Sequence, residues 1–386
     1  MWSVLLVTSA DLPAGEPRGH LLPEAFAARG VEARWVCWDD PDVDWSAADL
    51  VAVRSTWDYD GRLPEFLAWA GSVGPTLLNG ADLFAWNTDK SYLVRLGASG
   101  LPIVPTLVAE DEDDLPTAIA SYDVAVVKPC VGADGRGVVV FDGTGLGPAD
   151  LDEATLGPGP WVVQPLVESV RTDGEHSVFV LGGEPVGRVR KVPAGKEIRV
   201  HETYGGSTVA VDLDPEAAAL ARRAVEVAER VVGSTLAYAR VDLLRMPDGS
   251  LAVSELEVTE PGLYLDVLPS NADAFAEPSS PCSGTSATPH RTDLPLTRRR
   301  WRLSNRRAVA DGDAGDGEPS QMATGPPPSA TAQRWRARHL RRLSTGEPAI
   351  CDGSALESPP SATARRRRVR HLRRVGGSFA LGRVEC

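Results

Sequence analysis

Residues 239–262, ARVDLLRMPDGSLAVSELEVTEPG, carry acidic side chains inside two β-rich runs, where a core strand would be apolar. A Pro-Asp-Gly-Ser turn signal separates the runs, so the stretch is predicted to fold as a β-hairpin. A turn centred on the Asp-Gly dipeptide pairs Asp242 with Glu255 and Arg240 with Glu257. Since side chains alternate along a strand, all four are predicted to lie on one face of a sheet.

Two carboxylates directly opposite each other on a sheet repel. A divalent cation would remove that repulsion, and Mg²⁺ prefers a few carboxylate oxygens together with substrate phosphates. The alternative is that the acids form the solvated face of an edge hairpin. The hairpin alone does not separate these interpretations, so the rest of the chain has to.

Length and cysteine content limit the class of protein. A chain of 386 residues is long enough for two or three domains. It has no apolar run long enough to span a membrane, and its first residues lack the basic region of a signal peptide. Its five cysteines show neither paired nor metal-type spacing, which favours a reducing cytoplasm. The sequence therefore predicts a cytoplasmic protein with no membrane partner.

The net charge of −13 combines two unlike parts. From residue 278 onward there are 20 Arg, no Lys and 9 acidic residues, a balance of +11, so residues 1–277 have a balance of −24. Because an acidic body is a poor nucleic-acid binder, nucleic acid is an unexpected partner for residues 1–277.

Residues 278–386 are rich in Pro, Ser, Ala, Gly and Arg, with a near-repeat at 327–342 and 359–374. We predict that this Arg- and Pro-rich tail is disordered. Its Arg clusters could bind nucleic acid or an acidic partner, or could neutralise the acidic body. The segment could also be a spurious, frame-shifted extension.

Strand and helix signals alternate through residues 1–82, which predicts a small parallel α/β domain. The predicted strands are SVLLVTS, VEARWVCW, DLVAVRSTWDY and TLLN, and the predicted helices are HLLPEAFAARG and LPEFLAWAG. Ligands bind at the carboxyl ends of parallel strands, so the side chains that follow LVAV are candidates for substrate contact. They are Arg54, Thr56, Trp57 and Asp58. A packing Trp and a capped turn are the alternative.

The middle of the chain is predicted to be mostly β. A helix carrying Lys90 is expected over 83–100, and a long helix with an Asp cap and a Gly end over 214–233. Predicted strands lie in PIVPTLVA, VAVVKPC, GVVVFD, WVVQPLV, EHSVFVLGG and VGRVRKV, before a basic, glycine-containing connector. The acidic hairpin follows the long helix.

A glycine-rich turn joins two of these strands, in VAVVKPCVGADGRGVVVF. Gly132, Gly135 and Gly137 would let backbone amides approach a phosphate, and Lys128 precedes them. No Lys-Ser or Lys-Thr pair and no helix follows, which excludes the Walker A and dinucleotide motifs. The segment would cover phosphates as a flap, or would be an ordinary hairpin turn.

Lysine is scarce, since four lysines stand against 36 arginines. They are Lys90, Lys128, Lys191 and Lys196. A chain that otherwise uses Arg can keep Lys where a compact point charge meets a phosphate, although codon bias would give the same count.

The segment WVVQPLVESVRTDGEHSVFV offers a strand edge that could pair with an adenine ring, and Glu175 could accept a hydrogen bond from ribose. An ordinary loop with a solvated Glu is the alternative.

Taken in order, these features resemble the ATP-grasp superfamily of carboxylate–amine ligases over about residues 1–277. The segments RSTWDY, WNTDKSYL, KEIRVHETYGG and ELEVTEPGLYL are most similar to the branch with the cycloserine-forming ligase, which closes a ring from O-ureido-serine. The resemblance implies an α/β fold of the α+β ATP-grasp type. An N-terminal parallel α/β domain, 1–82, would precede a two-part ATP-grasp domain, 83–277. That domain would hold a nucleotide flap at about 120–185 and a catalytic hairpin at 236–260.

The resemblance also implies site roles. The expected ATP-binding residues are Lys90 and Lys128 for phosphates, the loop Gly132, Gly135, Arg136 and Gly137, then Gln164, Leu166 and Val167 for adenine, and Glu175 for ribose. The expected ligands of Mg²⁺ or Mn²⁺ are Asp242, Glu255 and Glu257, with Glu260 as a substitute, since many members have Asn where Glu257 stands. The expected catalytic residues are Arg240, Arg199 and Lys191.

The implied activity is ATP- and Mg²⁺-dependent formation of an amide-type C–N bond, through an acyl phosphate, on a small amino-acid-like carboxylate. A separate amine co-substrate would take part unless the enzyme closes a ring within one substrate. Ligases of this kind often form homodimers. The alternatives are a non-catalytic nucleotide-binding module that uses the tail as an interaction segment, and a nucleic-acid-binding protein led by the tail.

Overall fold

A computed structural model of the chain describes residues 2–142 and 156–280. Within these residues the strands are β1 Trp2–Thr8, β2 Val31–Cys37, β3 Leu50–Ser55, β4 Leu107–Ala109, β5 Ala125–Pro129, β6 Val139–Phe141, β7 Trp161–Pro165, β8 Glu175–Leu181, β9 Glu184–Val192, β10 Ser207–Val211, β11 Tyr238–Arg245 and β12 Leu251–Glu257. The helices are α1 Leu21–Ala27, α2 Leu63–Val73, α3 Ala81–Asn87, α4 Tyr92–Ala98, α5 Leu115–Ile119, α6 Ser169–Thr172, α7 Pro215–Val232 and α8 Ser270–Ala276. The predictions about the tail lie outside the described residues, apart from its first three positions.

The first sheet is parallel, in the order β2-β1-β3, which confirms the predicted α/β start of the chain. Strands β1 and β3 are mostly buried because helices and loops cover both faces, whereas the edge strand β2 exposes Glu32. The predicted strand TLLN is wrong, since it makes one bridge, between Leu77 and Val51. A 3₁₀ turn at Gly74–Thr76 precedes it, and Asn79 has a left-handed φ of 63°, so too few extended residues remain.

Two antiparallel sheets follow. One has the order β4-β7-β5-β6, and α5 covers its apolar face. The other has the order β10-β9-β8-β11-β12, and α7 packs on one of its faces. The side chain of Asp214 caps α7 by accepting from the Ala217 amide at 2.9 Å, and Gly233 ends it in the left-handed conformation, as predicted. Strand β10 lies where the sequence predicted only a connector.

The predicted helix over 83–100 is two helices, α3 and α4, and Lys90 lies in the turn between them. We attribute the break to Asn87, the last residue of α3, because its side chain hydrogen-bonds to the backbone at the end of β12. Its Nδ2 donates to the Leu256 carbonyl at 2.7 Å, and its Oδ1 accepts from the Val258 amide at 2.9 Å. Asp89 then accepts from the Ser91 amide at 2.9 Å.

The acidic hairpin has the predicted pairing at its functional end, where Arg240 lies opposite Glu257 and Asp242 opposite Glu255. Its turn is one residue longer than predicted, since the Met246 amide donates to the Ser250 carbonyl at 2.8 Å. A bulge at Ser254 adds one residue to β12 and restores the register.

Across the described part of the chain, helices are too short or too polar to cross a bilayer.

Candidate active site

A cleft of about 460 Å³ lies over the face of the five-stranded sheet opposite α7. Most of the site residues predicted from the sequence line it: Lys90, Lys128, Gly132, Gly135, Arg136, Gln164, Leu166, Val167, Glu175, Lys191, Arg199, Arg240, Asp242, Glu255 and Glu257. Gly137 and Lys196 lie outside this lining. The chain thus brings together residues of the two antiparallel sheets and of loops that are far apart in sequence.

The three hairpin carboxylates converge. Asp242, Glu255 and Glu257 each offer an oxygen within 4.8 Å of the others, and Asp242 is 2% exposed. Burial, together with the charges of Asp242 and Glu255, raises the pKa of Glu257 to about 8 despite the nearby Arg240. This crowding of oxygen donors is unfavourable alone and suits a hard divalent cation. The donor set therefore fits Mg²⁺.

Arg240 lies against these acids. Its Nε and Nη2 donate to the two oxygens of Asp242 at 3.0 and 2.8 Å, and Nη2 also pairs with Glu257. Burial raises the pKa of Asp242, but the charges of Arg240 and Lys191 outweigh this effect and hold the pKa well below its usual range. Asp242 is thus ionised at neutral pH.

Lys191 is the second buried cation. Its Nζ lies 2.6 Å from Glu175 Oε1 and 3.5 Å from Asp242 Oδ2. Burial lowers the pKa of Lys191, but the charges of Asp242 and Glu175 outweigh this effect and raise the pKa above its usual value. Glu175, predicted to accept from ribose, therefore also neutralises this lysine.

Lys90 closes the other side of the acidic group. Its Nζ donates to the Gly132 carbonyl at 2.7 Å and lies 3.3 Å from Glu255 Oε1. Burial raises the pKa of Glu255, but the charges of Lys90 and Lys128 outweigh this effect and lower the pKa. One lysine thus connects the glycine-rich loop to the carboxylates.

The glycine-rich loop contacts the first domain. Arg136 Nη2 lies 2.6 Å from Asp60 Oδ2, and its Nη1 lies 3.0 Å from Asp134. Arg136 therefore has protein partners of its own beside the cleft. Gly137, with φ of 68°, serves packing, because a Cβ there would lie 2.8 Å from the Pro129 side chain.

The far end of the cleft is apolar. Leu166 and Val167 line it, together with Val104 and Leu244. Gln164 Nε2 donates to Thr106 Oγ1 at 3.0 Å, and the Leu166 amide donates to the Val124 carbonyl at 2.8 Å. An apolar slot beside a strand end can accept a flat ring.

Of the four substrate contacts predicted to follow LVAV, Trp57 lines the cleft and the other three do not, and Arg54 lies inside β3. Arg54 is fully buried, donates to the Pro261 carbonyl, and lies over the rings of Tyr238 and Phe275 at 4.7 and 4.6 Å. Thr56 is also fully buried, and Asp58 accepts from the Trp38 indole. The substrate-contact prediction for Arg54, Thr56 and Asp58 is therefore wrong.

Several residues of the cleft were not predicted from the sequence. They include Glu16, Tyr59, Tyr264 and Asp266, and Glu260 was predicted only as a substitute metal ligand. Burial raises the pKa of Glu260 to about 7, although Lys90 and a hydrogen bond with Tyr59 lower it. The one available signal was the TEPGLY segment after the hairpin, whose Pro-Gly pair indicates a turn.

Two family models match the chain. One, described as D-cycloserine synthetase DcsG, N-terminal domain, matches residues 4–79, and one described as prokaryotic glutathione synthetase, ATP-grasp domain, matches residues 98–267. The cycloserine biosynthesis protein DcsG of Streptomyces lavendulae is 33% identical over 293 residues, covering 72% of this chain and 97% of that protein. A glutathione synthetase of Synechococcus elongatus is 30% identical over 179 residues, covering 45% of this chain and 50% of that protein.

Solved structures agree. The crystal structure of D-cycloserine synthetase DcsG matches with a TM-score of 0.64 and 32% identity, over 72% of this chain and 98% of that one. A RimK domain ATP-grasp protein from Sphaerobacter thermophilus shares the fold, with a TM-score of 0.51 and 21% identity over 72% and 98% of the two chains. ATP-grasp ligases generally use ATP and Mg²⁺. The chain therefore belongs to the ATP-grasp family of carboxylate–amine ligases, in the branch that contains D-cycloserine synthetase, and is an ATP-dependent ligase.

Proposed function

We propose that this ligase uses ATP and Mg²⁺ to form an amide-type C–N bond, through an acyl phosphate, on a small amino-acid-like carboxylate. The observation that carries the proposal is the convergence of Asp242, Glu255 and Glu257 within 4.8 Å, beside Lys90, Lys191 and Arg240 in one cleft. Such a site suits phosphoryl transfer, in which positioning and electrostatics supply most of the catalysis.

A carboxylate is a poor electrophile, and accepting the γ-phosphoryl group of ATP makes it a good one. Lys90 and Lys128 would hold the phosphates, and the apolar slot beside Gln164 would hold adenine, with Glu175 near the ribose. The three hairpin acids would hold Mg²⁺, which supplies Lewis-acid screening of phosphate charge. Manganese has the same ligand preference and could replace it.

Arg240 faces the acidic group from within the sheet, so it would meet the transferred phosphoryl group and then the tetrahedral oxyanion formed when an amine attacks. Lys191 lies behind it, and Arg199 approaches from the segment beside the glycine-rich loop, with its guanidinium 3.6 Å from the Tyr204 ring centre. The loop would exclude water, because an exposed acyl phosphate hydrolyses.

Ring closure within one substrate is the second candidate. It is supported by the match over 97% of a cycloserine biosynthesis protein and by the size of the cleft. A volume of about 460 Å³ is in the lower part of the range for single drug-sized ligands, which leaves little space beside a nucleotide. A homodimer and a cytoplasmic location stay predictions, as does nucleic-acid binding by the tail.

The deciding experiment is ADP release from Mg²⁺ATP in the presence of single carboxylates. The panel would contain O-ureido-serine, the common amino acids and their hydroxy analogues, and mass spectrometry would separate a cyclised from a ligated product. We expect ADP release that requires one carboxylate, and a higher Tm with ATP and Mg²⁺. An unchanged Tm together with no carboxylate-dependent ADP would overturn the proposal.

Asp60→Asn tests the contact between the glycine-rich loop and the first domain. Losing the partly exposed ion pair with Arg136 is expected to raise the KM for ATP about twofold to fivefold, since such pairs contribute about 0.2–1 kcal/mol. Steady-state kinetics would measure it. Asp273→Asn is the matched control, because it breaks the Arg29–Asp273 ion pair away from the cleft. Equal effects of the two variants would contradict a role for this contact.

A further inference from the structure

Three side chains of the first domain bind the backbone of the segment that leaves the acidic hairpin. The Trp57 indole Nε1 donates to the Glu260 carbonyl at 3.1 Å, and Arg54 Nη2 donates to the Pro261 carbonyl. Glu16 Oε2 accepts from the Leu263 amide at 2.8 Å. Three backbone groups between residues 260 and 263 thus have partners in the first domain, and the Leu263 carbonyl accepts from Asn271 at 2.9 Å.

Two of these side chains, Arg54 and Glu16, are deeply buried, and Trp57 is partly buried. Arg54 is fully buried and Glu16 is 4% exposed. Burying a cation and a carboxylate is costly unless they are paired and hydrogen-bonded. Arg54 lies between two aromatic faces with its Nη2 on a carbonyl, an arrangement that fixes the guanidinium plane. Such a costly arrangement indicates a requirement for a fixed backbone position.

Residues 260–263 carry two cleft residues, Glu260 and Gly262, and a third, Tyr264, follows directly. Tyr264 has a left-handed φ of 53°, which a tyrosine adopts only where its surroundings impose it. Its ring centre lies 5.8 Å from Arg240 Cζ and 5.9 Å from Lys191 Nζ. Residues 260–264 therefore line the cleft next to Arg240, the cation proposed to meet the reacting group, and next to Lys191.

We propose that Glu16, Arg54 and Trp57 are positioning residues that fix residues 260–263 and thereby set where Glu260 and Tyr264 lie relative to Arg240, which determines the carboxylate substrate that fits. The inference rests on the proposed ligase function for its kinetic consequence. Its structural part, that the first domain holds this segment, is independent of turnover. The first domain thus contributes to the chemistry without supplying a reacting group.

Trp57→Phe tests the proposal, because it removes the indole donor and keeps an aromatic ring. We expect kcat/KM for the active carboxylate, with O-ureido-serine as the first probe, to fall about fivefold to tenfold, as for one lost neutral hydrogen bond. The KM for ATP should change less than about twofold, since the adenine slot and lysines are untouched. Amide hydrogen exchange in residues 260–265 should become faster.

Trp69→Phe is the matched control, because the Trp69 indole N–H is buried without a hydrogen-bond partner among the described residues. It should leave both KM values and the exchange of residues 260–265 as in the wild type, even if Tm falls. Gly262→Ala tests the same contact by changing the held segment instead of Trp57, since the added Cβ would lie 3.3 Å from the Trp57 ring. It should reproduce the substrate-specific loss.

Equal kinetics and equal exchange in Trp57→Phe and Trp69→Phe would overturn the proposal, as would a loss in Trp57→Phe that affects ATP and carboxylate alike. If the wild type released no ADP with any carboxylate, the proposed function would fail, and the exchange experiment would still decide whether Trp57 holds the segment. Unchanged exchange would then overturn this inference as well.

Discussion

Replacing Glu255 with Gln is expected to lower kcat by at least about 100-fold, equivalent to roughly 2.7 kcal/mol of transition-state stabilisation. The substitution removes one of three converging carboxylates and leaves Lys90, 3.3 Å away, without its acidic partner. A metal that screens phosphate charge contributes several kcal/mol, so weakening its ligand set has an effect of this size. ADP release at saturating ATP would measure kcat, and a magnesium titration would show a higher half-maximal concentration.

Glu226→Gln provides the control, since Glu226 is an exposed residue of α7 on the other side of the sheet. It makes the same chemical change and should keep wild-type turnover. If Glu255→Gln retained more than about half of the wild-type kcat while binding ATP normally, the three acids would not be the metal site.

The acidic face of the hairpin could be predicted because strand alternation is a local property. The longer turn and the bulge at Ser254 were not predicted from the alternation of side chains. Each shifts the strand pairing by one residue in opposite directions, so the pairing at the functional end is the predicted one. The bulge depends on a tertiary contact, since Ser254 Oγ donates to the Asp242 carbonyl at 3.0 Å and to Glu175 at 3.2 Å. Glu175 lies on another strand, so no local pattern contains this information.

Arg54 shows the limit more clearly. It was predicted to follow a parallel strand, but it lies inside β3, near its carboxyl end, and the direction of its side chain was not predicted. The aromatic residues that enclose it, Tyr238 and Phe275, are remote in sequence, and an arginine would normally be expected at the surface. Sequence position therefore located the strand end and could not separate a substrate ligand from a buried positioning residue.

The lysines fall between these cases. Three of the four line the cleft, and Lys196 is exposed outside it. The low number of lysines was informative, because each of the four could be considered for a role that needs a compact positive charge. It carried no information about partners, and the pairing of Lys191 with Glu175 and Asp242 emerges only when β8, β9 and β11 lie side by side.

Lys191→Met is expected to destabilise the protein by about 3–5 kcal/mol and to abolish turnover. Methionine fills a similar volume but leaves Glu175 without its cation and leaves buried Asp242 with Arg240 alone. A buried carboxylate that loses its cation keeps its desolvation cost without the compensating attraction. Removing one member of a buried ion pair therefore destabilises a protein more than replacing the whole pair with apolar residues. Urea unfolding would measure the free energy, and Tm should fall by roughly 10 °C.

The pH dependence separates this charge effect from a packing effect. Lys191 has a pKa raised above the usual 10.5, so its contribution is complete below that value and is lost only as the pH rises through the raised pKa. Asp242 has a lowered pKa, so its contribution is complete above the usual 3.8 and is lost as the pH falls. The difference between wild type and Lys191→Met should therefore stay nearly constant between about pH 5 and pH 6, above the usual pKa of Asp242 and below the raised pKa values of Glu260 and Glu257. Lys196→Met, at the exposed lysine, should change stability by less than about 0.5 kcal/mol. A similar loss in both variants, or a Lys191→Met protein as stable as the wild type, would show that the buried lysine does not neutralise these two acids.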